Sequence, residues 1–330
     1  MKESVISMKY ISFDIIKDLN ITPKNCIDWA KQSLLYKYSS VLPPKISIKF
    51  NDGCFFNTMP SLLPNINRFG VKIVSRYPRT QFTKTNDIQK EIPSLSADIL
   101  LYDTESGELL SIMDGTWITS MRTGAIAAIS INLLKKKSAN TYSFIGLGNT
   151  ARATLLCLNE ILKHQPISVK LLAYKDQHKI FIERFSSYNN IKFEVYDSAV
   201  DMIRVSEVII SCVTTTKDIF ATDDTFSEGV LVVPVHTMGF QNCDLFFDKV
   251  FCDDIGHVNN FKYFDKFQKC DEIANVLSEK IAGRETEKER ILAYNIGISL
   301  QDIFFASNIY NLLEGKGIVL SKFIPEKFWV

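Results

Sequence analysis

From Thr141 onward, short apolar strands alternate with helical stretches: TYSFIG, a helix near 150–164, VKLLAY, another helix, IKFEVY, EVIISCV and GVLVVPV. Apolar runs separated by segments of crossover length build a parallel sheet covered on both faces. The spacing therefore predicts a doubly wound α/β domain of Rossmann type. Its first strand, TYSFI, runs into Gly146-Leu147-Gly148-Asn149-Thr150-Ala151, a G-x-G-x-x-A turn opening a helix. The first glycine permits the tight turn, the second lets backbone approach a pyrophosphate, and the small third residue allows close helix–sheet packing. In that strand–turn–helix context Gly146, Gly148, Asn149, Thr150 and Ala151 are candidate dinucleotide-binding residues.

The tip of the second strand distinguishes the two nicotinamide dinucleotides. It reads Tyr174-Lys175-Asp176. Asp176 would bind the ribose hydroxyl of NAD, or Lys175 would pair with the 2′-phosphate of NADP. A one-residue register difference decides between them, and the reading leans to NADP through Lys175. Thr214, with Thr215 and Thr216 after the fourth strand, offers hydroxyls to a nicotinamide ribose.

Upstream, residues 8–40 read as a strand and a helix, and Ile46–Phe50, Gly70–Ser75, Asp98–Tyr102 and Leu109–Met113 read as strands. A final helix near Gln301–Leu313 is too short to fold alone and is expected to pack back on this first layer. The expected domains are an α+β unit at 1–120 and 298–330, discontinuous in sequence, and a nucleotide-binding unit at 121–297.

Composition narrows the function classes. Lys plus Arg total 38 against 37 Asp plus Glu, a net charge of +1. That balance lacks the basic excess favoured by nucleic-acid and anionic-membrane partners, so neither is expected. The N-terminal residues are charged throughout, unlike a signal peptide, and no apolar run has bilayer-spanning length. A cytoplasmic location is expected. Seven scattered cysteines without a C-x-x-C pair read as reduced thiols, and no metal site is expected.

The segment Met113-Asp114-Gly115-Thr116-Trp117-Ile118-Thr119-Ser120-Met121-Arg122-Thr123-Gly124-Ala125 is the most distinctive. A helix opening at Thr119 or Ser120 would place Arg122 in its first turn, among backbone N–H groups that attract anions, as a carboxylate clamp.

This block, with SFIGLGNTA after it, resembles the ornithine cyclodeaminase/mu-crystallin family. So do Met59-Pro60 followed by Gly70-Val71-Lys72-Ile73-Val74-Ser75, and Gly283-Arg284 and Asn295-Ile296-Gly297 with Asp302 beyond. The ordered matches span about residues 40–305. The resemblance implies a substrate-binding α+β domain that also forms a homodimer, and a Rossmann domain holding NAD(H) or NADP(H). It implies that Lys72 and Arg122 hold the α-carboxylate of a small amino or imino acid. Lys45 falls where many members have an Arg, keeping the charge without the planar fork.

Two departures bear on the chemistry. Where the cyclodeaminase branch has a Glu two residues before Met-Pro, this chain has Asn57, which cannot act as a base. The family's catalytic Asp after the fifth Rossmann strand falls on Met238, in a shortened connection. Proton transfer then passes to His236, at the carboxyl edge of the sheet, or to Asp244. With Lys72, these form the expected catalytic set. The resulting expectation is an NAD(P)-dependent oxidoreductase acting at the Cα–N bond of an α-amino or α-imino acid, either a dehydrogenase or an imine reductase. The alternatives are a cyclising ammonia lyase using bound NAD and a ligand-binding protein of mu-crystallin type.

Overall fold

The computed structural model describes residues 5–50, 53–77, 95–236, 240–242 and 246–323, which divide between two compact units. The first comprises Met1–Ile21, Tyr36–Thr119 and Ile298–Val330, and the second Thr22–Leu35 and Ser120–Gly297.

The first unit is built on strands β1 (Val5–Ile11), β2 (Ile46–Phe50), β3 (Cys54–Leu63), β4 (Arg68–Arg76), β5 (Leu95–Asp103), β6 (Leu109–Asp114) and β15 (Ile318–Phe323). They form a mixed sheet in the order β15-β1-β6-β5-β4-β3-β2, with β1 and β6 parallel and the other pairs antiparallel. A short helix α1 (Phe13–Lys17) follows β1. Alternation along β3 to β5 gives the sheet two unlike faces. On one, Met59, Lys72 and Ile99 form a cross-strand row, and Gly70 pairs with both Ser61 and Leu101. Helix α9 (Ser299–Asn311) packs over β3, β4 and β5 on this face. It comes close because Gly70 has no side chain: a Cβ there would lie 2.5 Å from Ile303 Cδ1. The Ser299 hydroxyl donates to the Pro60 carbonyl at 2.7 Å, tying the start of α9 to β3.

The second unit holds β7 (Thr141–Ile145), β8 (Ile167–Leu172), β9 (Ile191–Tyr196), β10 (Val208–Ser211), β11 (Leu231–Pro234), β12 (Lys249–Cys252), β13 (Cys270–Glu272) and β14 (Ile291–Tyr294). All pair in parallel, in the order β13-β12-β14-β11-β10-β7-β8-β9. The order reverses between β7 and β10, the switch point at which open α/β sheets bind ligands. Its helices are α2 (Pro23–Leu35), α4 (Asn149–Ile161), α5 (Gln177–Arg184), α6 (Ala199–Arg204), α7 (Ile255–Val258) and α8 (Ile273–Leu277), with the length of α3 (Thr116–Leu134) from Ser120 onward. The backbones of α3 and α4 approach closely at Gly124, where a Cβ would lie 2.4 Å from the Ala153 carbonyl carbon.

The two-domain α/β architecture agrees with the sequence reading, and three details differ. Helix α2, expected with the first domain, belongs to the second unit, where it packs against α4 and α8. Strand β15, which the sequence reading left unassigned, follows the Gly315-Lys316-Gly317 turn and pairs antiparallel with β1. Helix α3 opens at Thr116 rather than at Thr119 or Ser120, because an Asp114 carboxylate oxygen accepts the Thr116 N–H at 2.8 Å and the Gly115 carbonyl accepts the Thr119 N–H at 2.8 Å. Arg122 therefore stands in the second turn, away from the N–H groups at the helix end. Among the described cysteines, Cys26, Cys54, Cys157 and Cys252 are buried, while Cys243 lies outside the described residues. Burial pushes the Cys26 thiol up to about 12.

Candidate functional site

In the second unit, the parallel strands bring their carboxyl ends to one edge. Gly146, just past β7, has φ +84°, and a Cβ there would lie 2.8 Å from the Val213 nitrogen beyond β10. Glycine is required on both counts. The Cys212 N–H donates to the Ile145 carbonyl at 2.7 Å and closes this seam. Gly148 is the N-cap of α4, without a side-chain cap bond, and the space where its Cβ would be holds no atom within 4 Å. Asn149, Thr150 and Ala151 form the first turn, with Ala151 fully buried. An uncapped helix N-terminus facing open space fits the pyrophosphate of a dinucleotide.

Strand β8 ends at Leu172, so both candidate selectivity residues lie beyond the strand tip. Asp176 is the N-cap of α5 and pairs with Lys179 at 2.8 Å, a hydrogen bond that holds its carboxyl below the usual range. Lys175, exposed and with φ +50°, extends over the Tyr174 ring at 5.4 Å. Thr214 is exposed beyond β10. His236 lies half-buried two residues past β11, on the same edge. Asp244 and Met238 lie outside the described residues. Gln241 donates to the Thr216 carbonyl at 3.0 Å, and Asn242 accepts the Phe220 N–H at 2.8 Å, so both brace the loop after β10. Phe246 packs at a tilt on the core residue Phe247 at 4.3 Å, and Phe261 packs edge-on against Tyr294 at 5.1 Å.

Arg122 is 4% exposed. Its guanidinium lies against Gly297, where a Cβ would be 1.9 Å from one terminal nitrogen. Gly297 in turn donates its N–H to Asp253, beyond β12, at 2.6 Å. His257 meets Asp254 at 2.6 Å.

In the first unit, Lys72 lies on the α9 face of β4 and pairs with Asp302 on α9 at 2.6 Å, both almost completely buried. Taking an ammonium out of water is unfavourable unless an opposite charge accompanies it, and Asp302 supplies that charge. Asn57 pairs with Val74, two residues along β4 from Lys72 and on the same face. Its side-chain oxygen is buried, with no hydrogen-bond partner among the described residues. Lys45 immediately precedes Ile46, whose partner Thr58 adjoins Met59, itself paired with Lys72. The strand order thus carries Lys45 toward the row of Met59 and Lys72.

The sequence reading assigned no role to Asp302 or Asp253. A buried acid on an apolar helix was the available signal in the first case: Asp302 is followed by Ile303-Phe304-Phe305-Ala306. Loss of either partner from the Lys72–Asp302 pair leaves a buried charge alone. Lys72→Met and Asp302→Leu are each expected to destabilise the protein by about 3–5 kcal/mol, and the double variant by less than either. A double-mutant cycle in thermal denaturation measures this; additive losses would show that the two groups are not coupled.

A profile of the ornithine cyclodeaminase/mu-crystallin family matches residues 18–317. The nodulation efficiency protein NfeD of Rhizobium meliloti is 22% identical over 283 residues, covering 84% of this chain and 85% of NfeD. A Δ1-pyrroline-2-carboxylate reductase of Bacillus cereus is 24% identical over 280 residues, covering 79% and 82% respectively. Among solved structures, the Thermococcus litoralis Δ1-pyrroline-2-carboxylate reductase in complex with NADH and L-proline superposes with a TM-score of 0.80 at 24% identity, covering 92% of this chain and 97% of that one. An archaeal alanine dehydrogenase dimer with bound NAD gives a TM-score of 0.80 at 20% identity, covering 96% and 99%. Among the described residues, no helix is long and apolar enough to cross a membrane. The match over nearly the whole chain places the protein in the ornithine cyclodeaminase/mu-crystallin family.

Proposed function

We propose that the protein is an NAD(P)H-dependent reductase of a small α-imino acid, converting its C=N bond to CH–NH. A bound nicotinamide dinucleotide would supply the hydride that Cα receives. Lys72 and Arg122, with Lys45, bind the substrate carboxylate, and the Gly146–Ala151 turn binds the pyrophosphate. His236 or Asp244 gives the proton that the imine nitrogen needs; an imidazole titrates near neutrality and suits that task.

Asn57 counts against the cyclising lyase. Imine reduction and amino-acid oxidation are one step run in opposite directions and share one acid–base group, whereas cyclisation of a diamino acid needs a further base for the second amino group. The residue beside the carboxylate anchor on the sheet face is an amide, which has no titratable proton and cannot be that base. The reductase activity named for the Bacillus cereus and Thermococcus litoralis relatives supports the same reading. The test is to mix purified protein with NADPH or NADH and Δ1-pyrroline-2-carboxylate or its six-membered homologue, following loss of the reduced-nicotinamide absorbance. Turnover is expected. Ammonia release from L-ornithine with NAD⁺, without net NADH formation, would instead establish the lyase.

The same reading takes NADPH as the preferred cofactor. Lys175 presents a cation past the tip of β8, whereas Asp176 is engaged by Lys179. Lys175→Glu is expected to weaken NADPH binding by about ten-fold or more while changing NADH binding little, because a charge-assisted phosphate contact is replaced by repulsion. Fluorescence titration measures both, and equal effects on the two cofactors would remove Lys175 from this role.

We also propose a homodimer. Ile46, Ile48, Phe56 and Ile73 share the sheet face opposite Lys72 and are 63%, 62%, 38% and 37% exposed. An apolar patch of this kind suits a partner surface, and the alanine dehydrogenase neighbour is itself a dimer. Sedimentation equilibrium of the wild type and of Ile46→Asp/Ile48→Asp tests this: a dimer that becomes monomeric is expected, and a monomeric wild type would overturn the proposal.

A further inference from the structure

Asp253 has no task in the reading above, yet it is 1% exposed and lies at the carboxyl edge of the parallel sheet. One carboxylate oxygen accepts the Gly297 N–H at 2.6 Å. The other is buried with no hydrogen-bond partner among the described residues. Burial raises its pKa, against the opposing influences of the Gly297 N–H, then His257 and Arg122. A carboxylate kept in so dry a place at such desolvation expense needs a reason.

Gly297 provides it. Its φ is +80°, and its Cα rests on the Arg122 guanidinium so closely that a Cβ would lie 1.9 Å from one nitrogen and 2.7 Å from the central carbon. Several hydrogen bonds hold this turn over the guanidinium. Asn295 donates its backbone N–H to Pro234 at 2.9 Å, its side-chain oxygen accepts from Ser130 at 2.8 Å, and Gly297 donates to Asp253. Of these, the Asp253 bond is the one made by Gly297 itself, the residue that touches the arginine. A guanidinium receives a carboxylate through a planar fork, so a tilt of the ring of donors loses one of two bonds.

We propose that Asp253 is a positioning residue for substrate recognition: by holding the Gly297 N–H it fixes the glycine surface that sets the plane of Arg122. The inference rests on Arg122 as the carboxylate anchor. Its bond to Gly297 requires an acceptor oxygen at Asp253 and no charge, which separates positioning from a general electrostatic effect. An asparagine keeps the acceptor; an alanine removes it.

The experiment compares Asp253→Ala with Asp253→Asn in steady-state kinetics, in cofactor titration and in crystal structures of the variants. For Asp253→Ala, KM for the imino acid is expected to rise about ten-fold or more, with kcat changed less and NADPH affinity unchanged, as for loss of a charge-assisted bond. The guanidinium should be displaced from its place under Gly297. Asp253→Asn should keep KM within about three-fold of wild type and the guanidinium in place. Gly297→Ala, which presses on Arg122 directly, should reproduce the KM increase and serves if Asp253→Ala does not fold. An unmoved Arg122 with wild-type KM in Asp253→Ala or Gly297→Ala, or an asparagine variant as impaired as alanine, overturns the proposal. If the wild type reduces no imino acid, the functional reading fails, while the position of Arg122 in the variant structures still decides this inference.

Discussion

Eight parallel strands impose one constraint from which most of the second unit follows: every strand delivers its carboxyl end to the same edge. Gly146, Val213, His236, Asp253 and Asn295 are far apart in sequence and neighbours along that edge for this reason alone. Ligands of open α/β sheets bind there because the connections that leave the strand ends are free to vary while the strands beneath them are not. The reversal of strand order between β7 and β10 leaves the gap into which the Gly146 turn opens, and glycine at 146 is what allows the Val213 backbone to come within contact distance.

Buried charge is the second organising theme. Lys72 and Asp302 neutralise each other on the packed face of the first sheet. Arg122 and Asp253 approach one another in the second unit through the intermediate turn at Gly297. Lys72 is retained by direct pairing with Asp302, and Arg122 lies against the glycine that Asp253 holds, which limits the movement of both cations. Such pairs are weak contributors to net stability and strong contributors to fixed geometry, which is what recognition of a planar carboxylate needs.

The strands of the second unit were readable because each is a compact apolar run between helical segments, and the glycine turn because its three small residues answer three separate steric demands. Helix α2 was misassigned because amphipathic periodicity reports that a helix has an apolar face and not which element covers it. The opening of α3 was misplaced by three residues because Asp114 supplies a side-chain acceptor that outweighs the hydroxyls of Thr119 and Ser120 as a start signal. Strand β15 passed unnoticed because an edge strand gains its identity from its partner, here β1. Asp302 and Asp253 were present in the sequence as acids without a role, since an ion pair or a turn contact has no sequence spacing of its own.

The sequence by itself determined the alternation of strand and helix, the glycine turn at Gly146–Ala151 and the balanced charge, while Lys72 and Arg122 became candidate anchors through the family resemblance. The first three are local properties, set by side-chain size, charge, periodicity and backbone freedom within a few residues. Only the tertiary structure decided that Asp302 neutralises Lys72, that Gly297 lies on Arg122 with Asp253 behind it, and that Asn57 shares a face with Lys72. Those relations depend on strand register and helix seating, which join residues separated by tens to hundreds of positions and so leave no local trace.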